Sequence, residues 1–229
     1  LNAKPVVRFI VLSIPVIGNL VVGIYDFANR KYNNKEYILK AMDQDFRIIS
    51  KASWKLLSDK EFILKVVEKN GLALEYASED LRRNRGVVFN AVEKNGCALQ
   101  YASAKLRGDE QVVLKAIEKN GFALEYASDE LKKDKPFMLK AVEKNGFALE
   151  YASKDFQGDK DVVLAALKQA NTLVTDGDYD VDLLFYASYK LKNNKKFMQS
   201  IVEKYSNLAL QYASFKVKKK LRVLYNQKN

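Results

Sequence analysis

The densest run of chemistry-bearing side chains is Asp176-Gly177-Asp178-Tyr179-Asp180-Val181-Asp182, with a carboxylate at every second position. Calcium loops present oxygen ligands to a hard cation in this way. Two requirements of that pattern fail here. Val181 stands where the sharp-turn glycine belongs, and Ala187 stands where the bidentate glutamate belongs. The run therefore reads as an acidic surface loop. A second set is a column of tyrosines, Tyr76, Tyr101, Tyr126 and Tyr151, each 25 residues after the last and continued at Tyr186 and Tyr212. Tyrosine carries a rigid apolar ring with a polar tip, which suits both inter-repeat cores and interfaces.

Other chemistry is thin. Histidine is absent from all 229 residues, which removes the commonest general acid–base group and metal ligand. Ser–His and Cys–His nucleophile pairs are excluded with it. Cys97 is the single cysteine, so no internal disulfide forms and a reducing compartment such as the cytoplasm is the natural setting. Export into a host cytoplasm fits the same chemistry. Cys97 takes the place of Leu72, Phe122 or Phe147 at an apolar position and reads as a buried thiol of low reactivity. There is no phosphate-cradling glycine loop, zinc spacing or nucleophile–base arrangement. The expectation is a binding protein without cofactors rather than an enzyme.

What positions the tyrosines is a repeat. Asn-Gly occurs at Asn70-Gly71, Asn95-Gly96, Asn120-Gly121 and Asn145-Gly146, and Tyr-Ala-Ser follows each pair. Two later copies come after a ten-residue and a one-residue insertion, and a weaker first copy carries Lys51-Ala52-Ser53. Seven units start at Asn34, Asp59, Asn84, Asp109, Asp134, Asp159 and Asn194. All seven are Asp or Asn, which accept the orphan N–H groups of a helix start. Stretches such as Phe62-Ile63-Leu64-Lys65-Val66-Val67 put apolar residues at i, i+1, i+4 and i+5, one face of a helix about ten residues long. Glycine then closes the helix in the left-handed conformation, and Leu72 to Ser78, with Leu81 beyond, supplies a second helix.

This predicts an all-α fold: a right-handed-type α-solenoid of about seven 25-residue helix–turn–helix repeats. A ten-residue helix is marginal alone, so stacking must supply the core. Residues 1–33 form an apolar N-terminal segment. Residues 34–229 form the repeat array, with the acidic insertion at about 171–182.

Asn-Gly-x-Ala-Leu-Glu-Tyr-Ala-Ser-x-x-Leu, between a capped helix and a Lys/Arg-rich link, resembles the repeat of the domain-of-unknown-function 4116 family. Glu68-Lys69-Asn70-Gly71 to Leu81 and Glu118-Lys119-Asn120-Gly121 to Leu131 carry the resemblance best. It is strong over residues 61 to 160 and looser over 34 to 222. The resemblance implies tandem helical repeats and assigns no activity and no catalytic residues. The insertion in the sixth unit and the degraded first unit depart from it.

The net charge of +11 lies at the two ends, because residues 61–160 carry 17 basic and 17 acidic residues. A nucleic-acid track needs uncompensated cations to displace counterions, so this balance disfavours nucleic acid. The tail residues Lys216, Lys218, Lys219, Lys220, Arg222 and Lys228 interleave with Val217, Leu221, Val223 and Leu224. They read as the last helix of the array, or as a stretch that meets anionic lipid or an acidic partner. Phe9 to Tyr25 is 17 residues without charge, flanked by Lys4, Arg8, Arg30, Lys31 and Lys35. It is near the lower limit for a spanning helix, and Pro15, Gly18 and Asn19 interrupt it. A membrane-associated segment, a buried cap on the first repeat and a signal remnant all fit. Because the sequence begins at Leu1 rather than Met, a fragment or processed form is expected.

The leading expectation is a non-enzymatic repeat scaffold for an unidentified protein partner. The alternative is the same module tethered to a membrane through Phe9 to Tyr25. Candidate contacts are Tyr76, Tyr101, Tyr126 and Tyr151 together with Asp176, Asp178, Asp180 and Asp182, because insertions in repeats tend to lie on the binding side. Residues beside the tyrosines that vary between units, Glu75, Gln100, Glu125, Glu150 and Gln211, are the natural place for specificity.

Overall fold

The computed structural model describes residues 30–172 and 182–226, and every element among them is helical. Phe9 to Tyr25, Asp176, Asp178, Asp180 and Lys228 lie outside the described residues. The chain divides into two compact units, residues 1–56 and 57–229.

In the second unit each repeat is built from three pieces. The first is a ten-residue α-helix: Lys60–Lys69, Arg85–Lys94, Glu110–Lys119 and Lys135–Lys144 in the most regular copies. The expected cap opens each of them. The Asp59 carboxylate accepts from the Phe62 N–H at 2.8 Å, and Asn84, Asp109, Asp134, Asp159 and Asn194 do the same in their repeats. Pro136 falls in the first turn, where a missing N–H costs nothing. The buried face is the expected one: Phe62, Ile63, Val66 and Val67 in one copy, Val87, Val88, Ala91 and Val92 in the next.

The second half of the repeat departs from the expected single α-helix. Gly71–Tyr76 is a 3-10 helix, Ala77 is extended (φ −64°, ψ 148°), and Glu79–Arg82 is one turn of α-helix. A hydrogen bond between repeats accompanies this break in most copies. The Ser78 N–H, which would continue the helix, donates instead to the Leu57 carbonyl of the preceding repeat at 2.8 Å. Ser103 donates likewise to Arg82, Ser128 to Arg107, Ser188 to Gln157 and Ser214 to Lys192, at 2.8–3.0 Å. These backbone bonds tie a repeat to the one before it in five of the six repeats of this unit; the Ser153 N–H makes no such bond.

Asn-Gly also does a different job from the one its type suggests. Asn70 has φ −152° and ψ 109°, and its side chain accepts from the Leu72 N–H at 3.0 Å, so it caps the start of the 3-10 helix. None of these glycines occupies the left-handed region. Gly71 is instead required by proximity: a methyl group there would land on the Ala91 carbonyl oxygen of the next repeat's long helix. At Gly96 it would meet the Ala116 carbonyl, and at Gly121 it would lie 2.7 Å from the Ala148 backbone nitrogen. The seventh repeat has Asn207 in this position, exposed, with no repeat stacked above it among the described residues.

The two ends differ for readable reasons. Ala170 replaces the capping asparagine in the sixth repeat, and the long helix runs on as Lys160–Ala170. Lys220 occupies the Asp/Asn cap position that would start an eighth unit. Without that break, the last one-turn helix extends to Phe215–Asn226, burying Val217 and Leu221. In the first unit, Lys35–Ala41, capped by Asn34, and the 3-10 helix Phe46–Lys51, capped by Asp45, repeat the same plan. There the Ser53 N–H donates to the Tyr32 carbonyl at 3.0 Å. No helix among the described residues is long and apolar enough to cross a membrane.

The glycine contact separates two otherwise similar substitutions. Gly96→Ala forces a methyl against backbone of the next repeat, and overpacking of this kind costs about 1–3 kcal/mol or more. Gly86→Ala sits at an exposed helix position where the new methyl meets only the Asn84 side chain, at 3.4 Å. It should stabilise by about 0.5–1 kcal/mol. Thermal or urea unfolding of the two variants should shift in opposite directions.

Candidate functional site

A 3-10 helix has three residues per turn, so residues three apart share a face. In Gly71–Tyr76 the residues Gly71, Ala73 and Leu74 are buried, which turns Leu72, Glu75 and Tyr76 outward. Successive 3-10 helices pack side by side from Gly71–Tyr76 through Asn207–Tyr212. The outward triplets therefore line up as a stripe: Leu72-Glu75-Tyr76, Cys97-Gln100-Tyr101, Phe122-Glu125-Tyr126, Phe147-Glu150-Tyr151, Asp182-Phe185-Tyr186 and Leu208-Gln211-Tyr212.

All six tyrosines on this stripe are half-buried. Phe122 meets its own Tyr126 edge-on at 5.2 Å between centroids and the next repeat's Tyr151 at 4.9 Å. Phe185 meets Tyr186 edge-on at 5.4 Å. The hydroxyls reach back along the array: Tyr212 donates to the Asp182 carboxylate at 2.5 Å. Burial, followed by the neighbouring Glu75 carboxylate, pushes the Tyr101 phenol above its ordinary value. Burial and Glu150 do the same to Tyr186 and Tyr151, and burial and Glu125 to Tyr126. Asn120 donates its amide to the Cys97 sulfur at 3.2 Å, and burial pushes the thiol up. Cys97 is half-buried rather than buried, and an unionised thiol is a poor nucleophile.

Exposure along the stripe rises toward the C-terminus. Leu72, Cys97 and Phe122 are half-buried, whereas Phe147 and Leu208 in the same column are 49% and 61% exposed; Phe185, 67% exposed, stands in the exposed column of Glu75. Sequence reasoning named the tyrosines and the acidic insertion, and the structure places Asp182 on the same stripe as the tyrosine column. It did not name Phe147, Phe185 or Leu208. The signal was present as three large apolar residues in columns that the 3-10 period turns outward, but an α-helical reading hides it.

Part of the basic surface is paired across repeat boundaries. Arg85 pairs with Asp109 at 2.8 Å and Lys135 with Asp159 at 2.7 Å, each joining a long helix to the cap of the next. Lys140 pairs with Glu110 at 2.8 Å and Lys115 with Glu93 at 3.2 Å, again across a repeat boundary. The Arg85 guanidinium holds the Asp109 carboxyl below the usual carboxylate range. A cavity of about 650 Å³ opens among Glu79, Arg82, Arg83, Tyr101, Ser103 and Lys105. Its Arg83 is paired with Glu79 and with Asp80, while Arg82 Nε and Ser103 Oγ are buried without a protein partner. Among the described residues no three carboxylate or thiol groups converge as metal ligands.

The model of a family described as Domain of unknown function (DUF4116) matches the sequence in five overlapping windows, residues 34–82, 59–107, 84–132, 109–157 and 134–173. No curated protein and no solved structure matches.

The tyrosine environment has a pH signature. An unfolded tyrosine ionises near pH 10, and Tyr101, Tyr126, Tyr151 and Tyr186 ionise above their ordinary value when folded. Above about pH 10 the unfolded chain therefore binds fewer protons than the folded one, and stability falls as pH rises. The urea midpoint should drop between about pH 10 and the folded tyrosine values. The drop should be smaller in the Tyr101→Phe, Tyr186→Phe double variant.

Proposed function

The chain belongs to the DUF4116 family, and from that premise we propose that it is a non-enzymatic helical-repeat scaffold that binds a protein partner through its 3-10 stripe. The observation that carries this reading is the exposure of Phe147, Phe185 and Leu208 beside half-buried Tyr151, Tyr186 and Tyr212. Large apolar side chains left in water next to aromatic anchors mark interaction surfaces. Glu150 and Asp182 border them, so the partner segment combines an apolar contact with a cation.

In this reading the array is a right-handed α-solenoid of about seven units, and the six from Asp59 onward each supply one triplet to a continuous surface. Repeat proteins use such surfaces because each unit adds area without changing the scaffold. Columns that vary between units, occupied by Glu75, Gln100, Glu125, Glu150 and Gln211, set specificity. The single cysteine and the absence of histidine favour a binding role in a reducing compartment.

Photo-crosslinking from position 150 or 211, exposed on the same stripe, in cell extract tests this. Crosslinks should report a discrete protein partner and should vanish in a Phe147→Asp, Phe185→Asp, Leu208→Asp variant of unchanged melting temperature. Each anchor contributes about 1–2 kcal/mol or more, so loss of all three should abolish capture. A partner retained in full by that variant would place the binding surface elsewhere.

A further inference from the structure

We propose that the outward face of the helix Phe215–Asn226 is a docking surface for anionic membrane lipid. This helix packs Val217 and Leu221 onto the last repeat and turns Phe215, Lys216, Lys219, Lys220, Arg222 and Val223 to solvent. Phe215 is 84% exposed and Val223 is 52% exposed. Residues 215, 219 and 223 are four apart and share one stripe of the helix. Together with Lys195, Lys216 and Lys220 they line an open depression of about 540 Å³. Lysines therefore flank two apolar groups laid lengthwise, the arrangement of a helix lying in a membrane interface with its ammonium groups at phosphate level.

The charge balance here differs from that of the middle repeats. Residues 61–160 carry 17 basic and 17 acidic residues, and Arg85, Lys115, Lys135, Lys140 and Lys144 each meet a carboxylate across a repeat boundary. The helix Phe215–Asn226 contains no Asp or Glu. Lys195, Lys216, Lys219, Lys220 and Arg222 make no ion pair with any described residue. Lys218 is set apart, because its Nζ donates to the Gln211 carbonyl at 3.2 Å and caps the last 3-10 helix.

The residue types select lipid over an acidic protein. Four of the five free cations are lysine, which is depleted at protein interfaces, where arginine is enriched for its rigid fork. A lysine cluster with exposed apolar side chains is instead matched to a fluid layer of phosphates, which rearranges around point charges. None of the residues of this surface belongs to the 3-10 stripe.

Vesicle co-sedimentation of the full chain tests the proposal at about 0.1 and 0.5 M salt. The vesicles are phosphatidylcholine alone or phosphatidylcholine with about 30% phosphatidylserine. Binding to the anionic vesicles should exceed binding to the neutral ones by about tenfold and weaken at high salt. The neutral vesicles report any charge-independent contribution of Phe9–Tyr25. Lys216→Gln, Lys219→Gln, Lys220→Gln and Arg222→Gln together should remove the anionic increment. Phe215→Ser with Val223→Ser should reduce it several-fold while circular dichroism stays unchanged. An increment that survives the four charge substitutions overturns the proposal. So does binding of polyglutamate-coated beads, undiminished in the Phe215/Val223 variant, by a protein that ignores the vesicles, since that result assigns the face to an acidic polypeptide.

Discussion

The fold depends on a place where a methyl group is missing. Gly71, Gly96, Gly121 and Gly146 let a 3-10 helix approach backbone of the following repeat more closely than any side chain allows. From that approach several other features follow. The long helix of the next unit fixes where the 3-10 segment lies, and in most copies the preceding unit accepts the serine N–H beyond it. The six-residue segment forms i→i+3 bonds, such as Ala73 N–H to the Asn70 carbonyl at 3.0 Å. Asn70 then satisfies the N–H that the tight turn leaves over. The tyrosine stripe is the outward side of the same segment, so the surface is a by-product of how the repeats touch.

Much of this was legible and one part was not. The 25-residue period, the seven Asp/Asn caps and the i, i+1, i+4, i+5 face of the long helix follow from local chemistry, and each stands as read. The Asn-Gly pair was misread because its commonest use, a left-handed helix stop, is a property of one chain segment. Its use here is a contact between two segments, and sequence alone does not show which carbonyl lies opposite Gly71. The same blindness affected the site. Leu72 and Glu75 fall on one side of a 3-10 helix, so Phe147, Phe185 and Leu208 emerge as surface residues only once the period is three. The tyrosines are half-buried in every repeat of the second unit, between the core and interface readings that their chemistry allows.

Charge shows the division of labour between the middle and the end. An exposed pair such as Arg85 with Asp109 contributes little stability, about 0–1 kcal/mol. What such pairs do, repeated across unit boundaries, is set opposite charges side by side in a stretch, residues 61–160, that is balanced at 17 basic and 17 acidic residues. The final helix has no following unit among the described residues to supply carboxylates, and its cap position is Lys220 rather than Asp or Asn. One substitution class thus both lengthens the helix and leaves its cations unpaired.

The sixth repeat shows how strictly the stripe is kept. Ten extra residues enter between its long helix and its 3-10 segment, and Ala170 has replaced the capping asparagine. A break of that size would be expected to end the register. Instead, Ser188 still donates to the Gln157 carbonyl at 2.8 Å, and the 3-10 helix Asp182–Phe185 still packs between its two neighbours. Tyr212 of the seventh repeat then closes onto Asp182 at 2.5 Å, a carboxylate in the column where other repeats carry leucine, cysteine or phenylalanine. Asp182, at the end of the insertion, is used inside the stripe. Because the bonds between repeats are backbone to backbone, the intervening sequence is free to change while the outward triplets stay in line, and that freedom is what lets a rigid array carry a variable surface.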